Sequence, residues 1–341
     1  MAEFVEGSGG SGLTGAEARG IEGPCIAGPG DAAPGGASWE SSAGLVDALR
    51  AAVGEGFVRE DEPMSEHTTF RIGGPAALFV EPASAEQAAA IVRACRVAAA
   101  PLRVIGCGSD LLVADAGLRC VVMKVGERMA GVSVEGTRVR AQAGATNAQV
   151  AEAACAAGLS GYEFAEGIPG TVGGAAIMNA GAYDGEFAQA AVSLTCITTE
   201  GELVDVSREQ AAWGYRRSMM GEAGYVVAEA VLELSPADPV AIRARMDDLH
   251  ARRAEKQPLD MPSAGSTFKR PEGYFAGKLI QDAGLRGYRV GGAQVSEKHT
   301  GFVVNAGGAT AADVRRLIAD VQQRVRERFG VALEPEVKMW E

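Results

Sequence analysis

Three glycine-rich stretches have the residue types and spacing to hold an anion: Arg71-Ile72-Gly73-Gly74, Gly106-Cys107-Gly108-Ser109-Asp110, and Gly167-Ile168-Pro169-Gly170-Thr171-Val172-Gly173-Gly174. Without a Cβ in the way, main-chain N–H groups at glycine can approach closely and converge on a phosphate. The second stretch follows a strand-like run, as a dinucleotide fingerprint would, but Leu111 stands where GxGxxG needs its third glycine. The third lacks the Lys-Ser/Thr pair of a Walker A loop. Any one of them alone reads as a tight turn. Three together, two with Ser109 or Thr171 beside the glycines, favour a diphosphate and hence a dinucleotide such as FAD.

Periodicity outlines the elements that must position these loops. Leu45, Val46, Leu49 and Val53 have helical spacing. Residues 78–80 read as a strand, with Ser84 as an N-cap and Gln87 completing a capping box. The helix passes through Ile91, Val92 and Cys95 and stops before Pro101, and 102–105 returns as a strand, giving a βαβ unit. Segments 132–142 and 192–206 alternate around Glu135-Gly136-Thr137 and Glu200-Gly201, the pattern of hairpins. Between them, Asn147 is expected to cap a helix that ends at Gly158.

Further on, the proline-bearing stretch 235–239 marks a domain boundary, followed by a helix carrying Ile242, Met246 and Leu249. The last helix is the best defined: Thr310 and Asp313 form its capping box, and Gly330 is its stop. Val314, Leu317, Ile318, Val321 and Val325 make its apolar face. Strands and helices mix without strict alternation, so the predicted fold class is α+β. Residues 1–37 are rich in glycine and poor in large apolar side chains, and are expected to be a disordered tail.

Composition narrows the function classes. The 341 residues hold 32 Lys+Arg against 44 Asp+Glu, a net charge of −12, which argues against a nucleic-acid or anionic-membrane binder. A local cluster of arginines and N–H groups can still hold a small anion inside an acidic protein. No apolar run is long enough for a membrane helix, and the N-terminus carries Glu3 and Glu6 where a signal peptide would be basic. The six cysteines contain no CxxC pair and only three histidines accompany them, so zinc-finger and thioredoxin-like readings fail and no metal is expected. Free thiols fit a soluble protein of the reducing cytoplasm.

The run 167–183, ending Met178-Asn179-Ala180-Gly181-Ala182-Tyr183, closely resembles the signature of the UDP-N-acetylenolpyruvoylglucosamine reductase (MurB) family. So do the stretches 67–74, 106–113, 262–271, 276–305 and 333–337. The similarity is collinear from about residue 45 onward and looks like the shorter branch of that family. The resemblance implies an FAD-binding domain of the vanillyl-alcohol-oxidase-like (PCMH) type over 38–236, in two α+β lobes, and a smaller α+β substrate-binding domain over 237–341. It implies an NADPH-dependent reduction of UDP-N-acetylglucosamine enolpyruvate to UDP-N-acetylmuramate, a step of peptidoglycan precursor synthesis. Separately, the chain is expected to be a cytoplasmic monomer.

Residue by residue, the resemblance assigns FAD contacts to Arg71, Gly73, Gly74, Gly106, Gly108, Ser109, Asp110, Gly167, Gly170, Thr171, Gly173 and Gly174. Arg216, in Trp213-Gly-Tyr-Arg-Arg-Ser218, matches the catalytic arginine, with Arg217 beside it as a competitor for the role. Ser266 matches the general acid and Glu336 the third catalytic residue. Tyr183, Lys269 and Gln294 match substrate-binding positions, while His299 is open to a structural or a catalytic reading. Two departures stand out: Asp110 where the family usually has Asn, and Arg270 where Asn is common. Rival readings are another flavin oxidoreductase on the same domain, using oxygen, and a non-enzymatic nucleotide-binding module. The first predicts the glycine loops without the Ser266 and Glu336 pair, and the second predicts loss of Arg216, Ser266 or Glu336.

Overall fold

A computed structural model of the chain describes residues 25–26 and 43–341, so most of the expected tail lies outside the described residues. Three sheets carry the fold. The first has the order Cys25–Ile26, Leu102–Ile105, Leu118–Lys124, Pro75–Val80, Val58–Pro63, with its three inner strands parallel. Helix α1 (Ala43–Val53) packs on helix α2 (Ala85–Val97), and α2 contacts this sheet at 118–124. The expected βαβ unit is present but split. The strand Leu118–Lys124 lies between Pro75–Val80 and Leu102–Ile105 and pairs in parallel with both.

A second sheet is wholly antiparallel, in the order Leu203–Ser207, Ala191–Ile197, Val226–Glu233, Arg138–Gln142, Val132–Glu135. Both expected hairpins are there. Helix α3 (Asn147–Ala156) and the short α4 (Val172–Met178) pack beside it, followed by two further short helices, α5 (Phe187–Ala190) and α6 (Met219–Ala223). One continuous core runs under both sheets, from Leu49 and Ile91 to Tyr162, Phe187 and Leu232.

Three local expectations change. Gln87 does not close a box on Ser84; its Oε1 accepts from Ala83 N at 2.7 Å, while Ser84 Oγ accepts from Gln87 N at 3.2 Å. The cap of α3 is Thr146, in a complete capping box with Gln149, and not Asn147. Asn147 is instead buried and ties loops together, as described below. Lastly, the proline-bearing stretch opens helix α7 (Pro239–Lys256), capped by Asp238 with Pro239 in its first turn. Ile242 and Met246 of α7 belong to the larger core.

The second core begins at Ala264. It lies between a four-stranded antiparallel sheet (Ser263–Ser266, Phe302–Asn305, Ala293–Val295, Arg289–Val290) and two helices, α8 (Ala276–Asp282) and α9 (Ala311–Phe329). Helix α9 buries Val314, Leu317, Ile318, Val321 and Val325, has its Thr310–Asp313 capping box, and ends at Gly330 with φ 69°. The two cores interlock. Phe70, Ile72 and Leu112 of the first unit sit in the second core, and Asp115 accepts from the N–H groups of Ala311 and Ala312 at the start of α9. Lys338–Trp340 then returns to pair in parallel with Leu111–Val113, directly after the second glycine loop.

Candidate active site

A cavity of about 650 Å³ opens where the two units meet. One wall is the loop Gly106–Asp110, which leaves the strand Leu102–Ile105. Gly108 needs its φ of 60°, and a methyl on its Cα would lie 2.4 Å from His67 O. The facing wall is Ile168–Thr171 together with Gly174 of α4. The two loops touch: a methyl on Gly106 would lie 2.3 Å from Thr171 Oγ1, and Ser109 Oγ donates to Pro169 O at 2.9 Å.

Asn147 holds the second loop from behind. Its Nδ2 donates to Ile168 O (3.4 Å) and Gly170 O (3.3 Å), and its Oδ1 accepts from the buried Tyr162 hydroxyl at 2.8 Å. Burial pushes the Tyr162 phenol well above its ordinary value, which keeps it a donor. Glycine at 106, 108, 170 and 174 keeps side chains out of these walls, as a cradle for a phosphate-bearing cofactor requires.

Not all the expected cofactor residues line it. Arg71, Gly106, Gly108, Ser109, Asp110, Gly170, Thr171 and Gly174 do. Gly73 and Gly74 pack instead: methyls there would meet Val113 Cβ at 2.9 Å and Asp115 O at 2.2 Å. Gly173 rests on Ala143 and lines a smaller, mainly apolar slot behind the loops. Gly167 offers its carbonyl to the Arg253 guanidinium.

Beyond the glycine loops the same cavity is lined by Arg216, Ser266 and Glu336. Segment 334–336 lies against 267–269: Lys269 N donates to Glu334 O (2.9 Å) and Glu336 N to Thr267 O (2.8 Å). That pairing sets Glu336 beside the strand that ends in Ser266. Arg216, with φ 57°, points its Nε at Glu336 Oε1, 2.6 Å away. Arg217 faces outward to the exposed Glu222. Burial pushes the Glu336 carboxyl above the ordinary carboxylate range; the Arg216 guanidinium pulls it down, and nearby Asp110 pushes it up again. Ser266 is exposed and borders both this cavity and a second cleft.

That second cleft, about 400 Å³, continues from Ser266 and Glu336 between Tyr215 and Phe275. Arg270, Lys278, Arg286 and Lys298 line it. Lys278 pairs with Asp282, but Arg286 and Lys298 spend their N–H groups on the carbonyls of Glu297 and Ala254. The cleft thus gathers these four cations and the rings of Tyr215 and Phe275 on a chain whose net charge is −12.

The expected substrate residues fall outside these linings. Lys269 pairs with Glu334, Gln294 Nε2 donates to Gly287 O at 3.3 Å, and Tyr183 has its ring 6.0 Å from the Arg253 guanidinium. His299 lines the second cleft, accepts from Gly301 N at 3.1 Å and stands edge-on to Phe302.

Two residues of the site escaped the sequence reading, Asn147 and Arg253. The signal for Arg253 was present, since 242, 246, 249 and 253 share one face of α7. Arg253 is 8% exposed, yet it lines the large cavity, and burial lowers its guanidinium's proton affinity. Among the described residues no cluster of His, Cys, Asp and Glu could hold a metal, and no helix is long and apolar enough to cross a membrane.

Comparison with known proteins gives the site a context. Residues 76–207 match the family model described as an FAD binding domain, and 257–340 match the C-terminal domain of UDP-N-acetylenolpyruvoylglucosamine reductase. A reductase of that name from Agathobacter rectalis is 52% identical over 292 residues, covering 82% of this chain and 93% of its own. One from Clostridium perfringens is 50% identical, covering 82% and 91%. The crystal structure of UDP-N-acetylenolpyruvylglucosamine reductase from Thermus caldophilus superposes with a TM-score of 0.73 at 35% identity, covering 84% of this chain and all of its own.

Proposed function

This chain belongs to the UDP-N-acetylenolpyruvoylglucosamine reductase family, and on that premise we propose how its cavity carries out the reduction. The substrate is UDP-N-acetylglucosamine enolpyruvate, the product UDP-N-acetylmuramate, and NADPH the reductant. The reading is supported by one observation above others: the Arg216–Glu336 pair and Ser266 meet at the mouth of a glycine-walled cavity. Gly106, Gly108, Ser109, Gly170, Thr171 and Gly174 would hold FAD in that cavity, and when bound it would supply a hydride to the β-carbon of the enolpyruvyl group.

The chain's own residues do the rest. Hydride addition leaves an electron pair on the α-carbon, delocalised into the adjoining carboxylate. Arg216 binds that carboxylate with a planar, permanently charged fork, and its charge is worth most where the anion grows. Glu336 orients the guanidinium, and burial, which raises its carboxyl above the ordinary range, favours the form that can donate to an enol oxygen. Ser266 Oγ–H gives its proton to the α-carbon, and its exposure lets solvent restore that proton. The cationic cleft next to Ser266 takes the nucleoside diphosphate, with Arg270 supplying charge where the family often has an amide. Arg253 adds a buried positive charge to the far side of the cofactor cavity.

The test is direct. The purified protein is expected to carry flavin absorbance and to oxidise NADPH only when UDP-N-acetylglucosamine enolpyruvate is present. In Ser266→Ala, NADPH is expected still to bleach the flavin while turnover falls about 10²- to 10⁴-fold, the usual worth of a positioned proton donor. Absence of flavin would remove the whole reading; normal turnover in Ser266→Ala would remove only serine from the acid role.

A further inference from the structure

Arg216 adopts a left-handed backbone, φ 57°, which a non-glycine residue holds only where its surroundings impose it. The surroundings are a tight turn, Gly214 to Arg217, closed by Gly214 N to Arg217 O (3.1 Å) and Arg217 N to Gly214 O (3.3 Å). Three side-chain bonds fasten this turn to the C-terminal end of α4. Trp213 Nε1 donates to Ala176 O (2.7 Å), Ser218 Oγ donates to Ile177 O (2.8 Å), and Asn179 Nδ2 donates to Gly214 O (3.3 Å). The first two satisfy carbonyls that the end of a helix leaves without partners. Helix α4 is capped by Thr171, in the wall of the cofactor cavity.

Asn179 is the centre of this arrangement. It is 4% exposed and is the left-handed C-cap of α4, with φ 43°. Its Oδ1 accepts from Ala188 N at 3.0 Å, and its second Nδ2 hydrogen goes to Glu186 Oε2 at 3.1 Å. With both donors and the acceptor engaged, the amide has one orientation and the Gly214 carbonyl one position. We infer that Asn179, with Trp213 and Ser218, is a positioning residue for the reaction: it holds the turn so that the Arg216 guanidinium stays on Glu336 and at a fixed distance from the cofactor wall. The inference rests on the role proposed above for Arg216.

Two variants test it. Asn179→Gly keeps a left-handed backbone without steric cost and removes all three bonds. Trp213→Phe keeps an aromatic ring against Phe187 and removes the Nε1–H donor together with the pyrrole part of the indole. The charged groups facing Glu336 are Arg216 on the turn, Asp110 on the glycine loop and Lys269 on the segment that follows the strand Ser263–Ser266. Freeing Arg216 leaves burial and Asp110 less opposed, so the ionisation that Glu336→Gln removes should move to higher pH. Both variants should retain flavin, lose roughly tenfold in kcat with KM within about twofold, and exchange the amides of 212–219 faster. A merely structural residue would not move the pH profile.

If Arg216→Ala turns over normally, the role of Arg216 fails and the premise with it. If Arg216→Ala abolishes turnover while Asn179→Gly and Trp213→Phe keep the parent kcat, pH profile and exchange, the positioning role is overturned. Should Asn179→Gly not fold, Trp213→Phe decides the matter by the same measures.

Discussion

Arg216 and Arg217 are neighbours in one motif with opposite environments. Arg216 is turned inward onto Glu336 by a left-handed backbone, and Arg217 reaches an exposed glutamate across solvent, a contact worth little. A motif cannot separate them because backbone handedness at one residue leaves no trace in composition. Lys269 and Gln294 teach the same lesson: family position placed them near the substrate, yet their side chains are engaged by Glu334 and Gly287. His299 carries a titration that can be measured. Burial holds its imidazole below the ordinary value of 6.5, so the fold favours the neutral ring. Its contribution to stability is complete above pH 6.5 and declines as the pH falls below that value, where the unfolded chain binds the proton first. Thermal unfolding followed from pH 8 to pH 5 should therefore show a falling Tm, and His299→Gln should flatten that fall. An unchanged slope in the variant would assign the loss to other groups.

At the scale of elements, most of the fold was legible because its signals are local. The capping box of α9, its apolar stripe and its glycine stop each lie within a turn or two of the residues they govern. What local patterns could not carry was the partner of each element. The strand Leu118–Lys124 intervenes in the βαβ unit, and α7 packs on the first core although a proline stretch precedes it. Asn147 has the chemistry of a cap and does the work of a loop tether, since Thr146 reached the cap position first. The glycine loops were found for the right chemistry but not for all the right residues: Gly73, Gly74 and Gly173 are small because backbone or side chains press on them. Gly106→Ala tests the contact between the two loops. Its methyl would meet Thr171 Oγ1, so the loops must part. Isolated variant is expected to contain flavin at well under half the parent stoichiometry, read from absorbance, with far-ultraviolet circular dichroism unchanged. Full flavin content would show that the loops yield without losing the cofactor.

Among the described residues the whole molecule holds three buried apolar clusters, and specific polar contacts cross between its two units. Thr69 Oγ1 donates to Ser263 O at 2.6 Å, Asn305 Nδ2 to Phe70 O at 3.2 Å, and Asp115 receives the first N–H groups of α9 from the other unit. Asp115→Ala removes a negative group from a helix start and leaves two N–H donors without their acceptor. A loss of about 1 to 2 kcal/mol is expected from denaturant unfolding, the scale of a lost helix cap. Because that carboxylate also joins the units, the transition should broaden as the two cores lose common cooperativity, and an unchanged, single sharp transition would show the crossing to be dispensable.

The return of Lys338–Trp340 to the edge of Leu111–Val113 sets an order in time as well as in space. A chain emerging from the ribosome presents the glycine loop more than two hundred residues before the strand that closes beside it. Until that strand arrives, Leu111–Val113 lacks this partner, and Glu336, only two residues ahead of the strand, has no fixed place next to Asp110. A cofactor captured early would therefore sit in a half-built cleft, without the carboxylate that orients Arg216. The wall that carries Glu336 is thus among the last parts of the cavity to be synthesised, well after the loops 106–110 and 168–171 that face it.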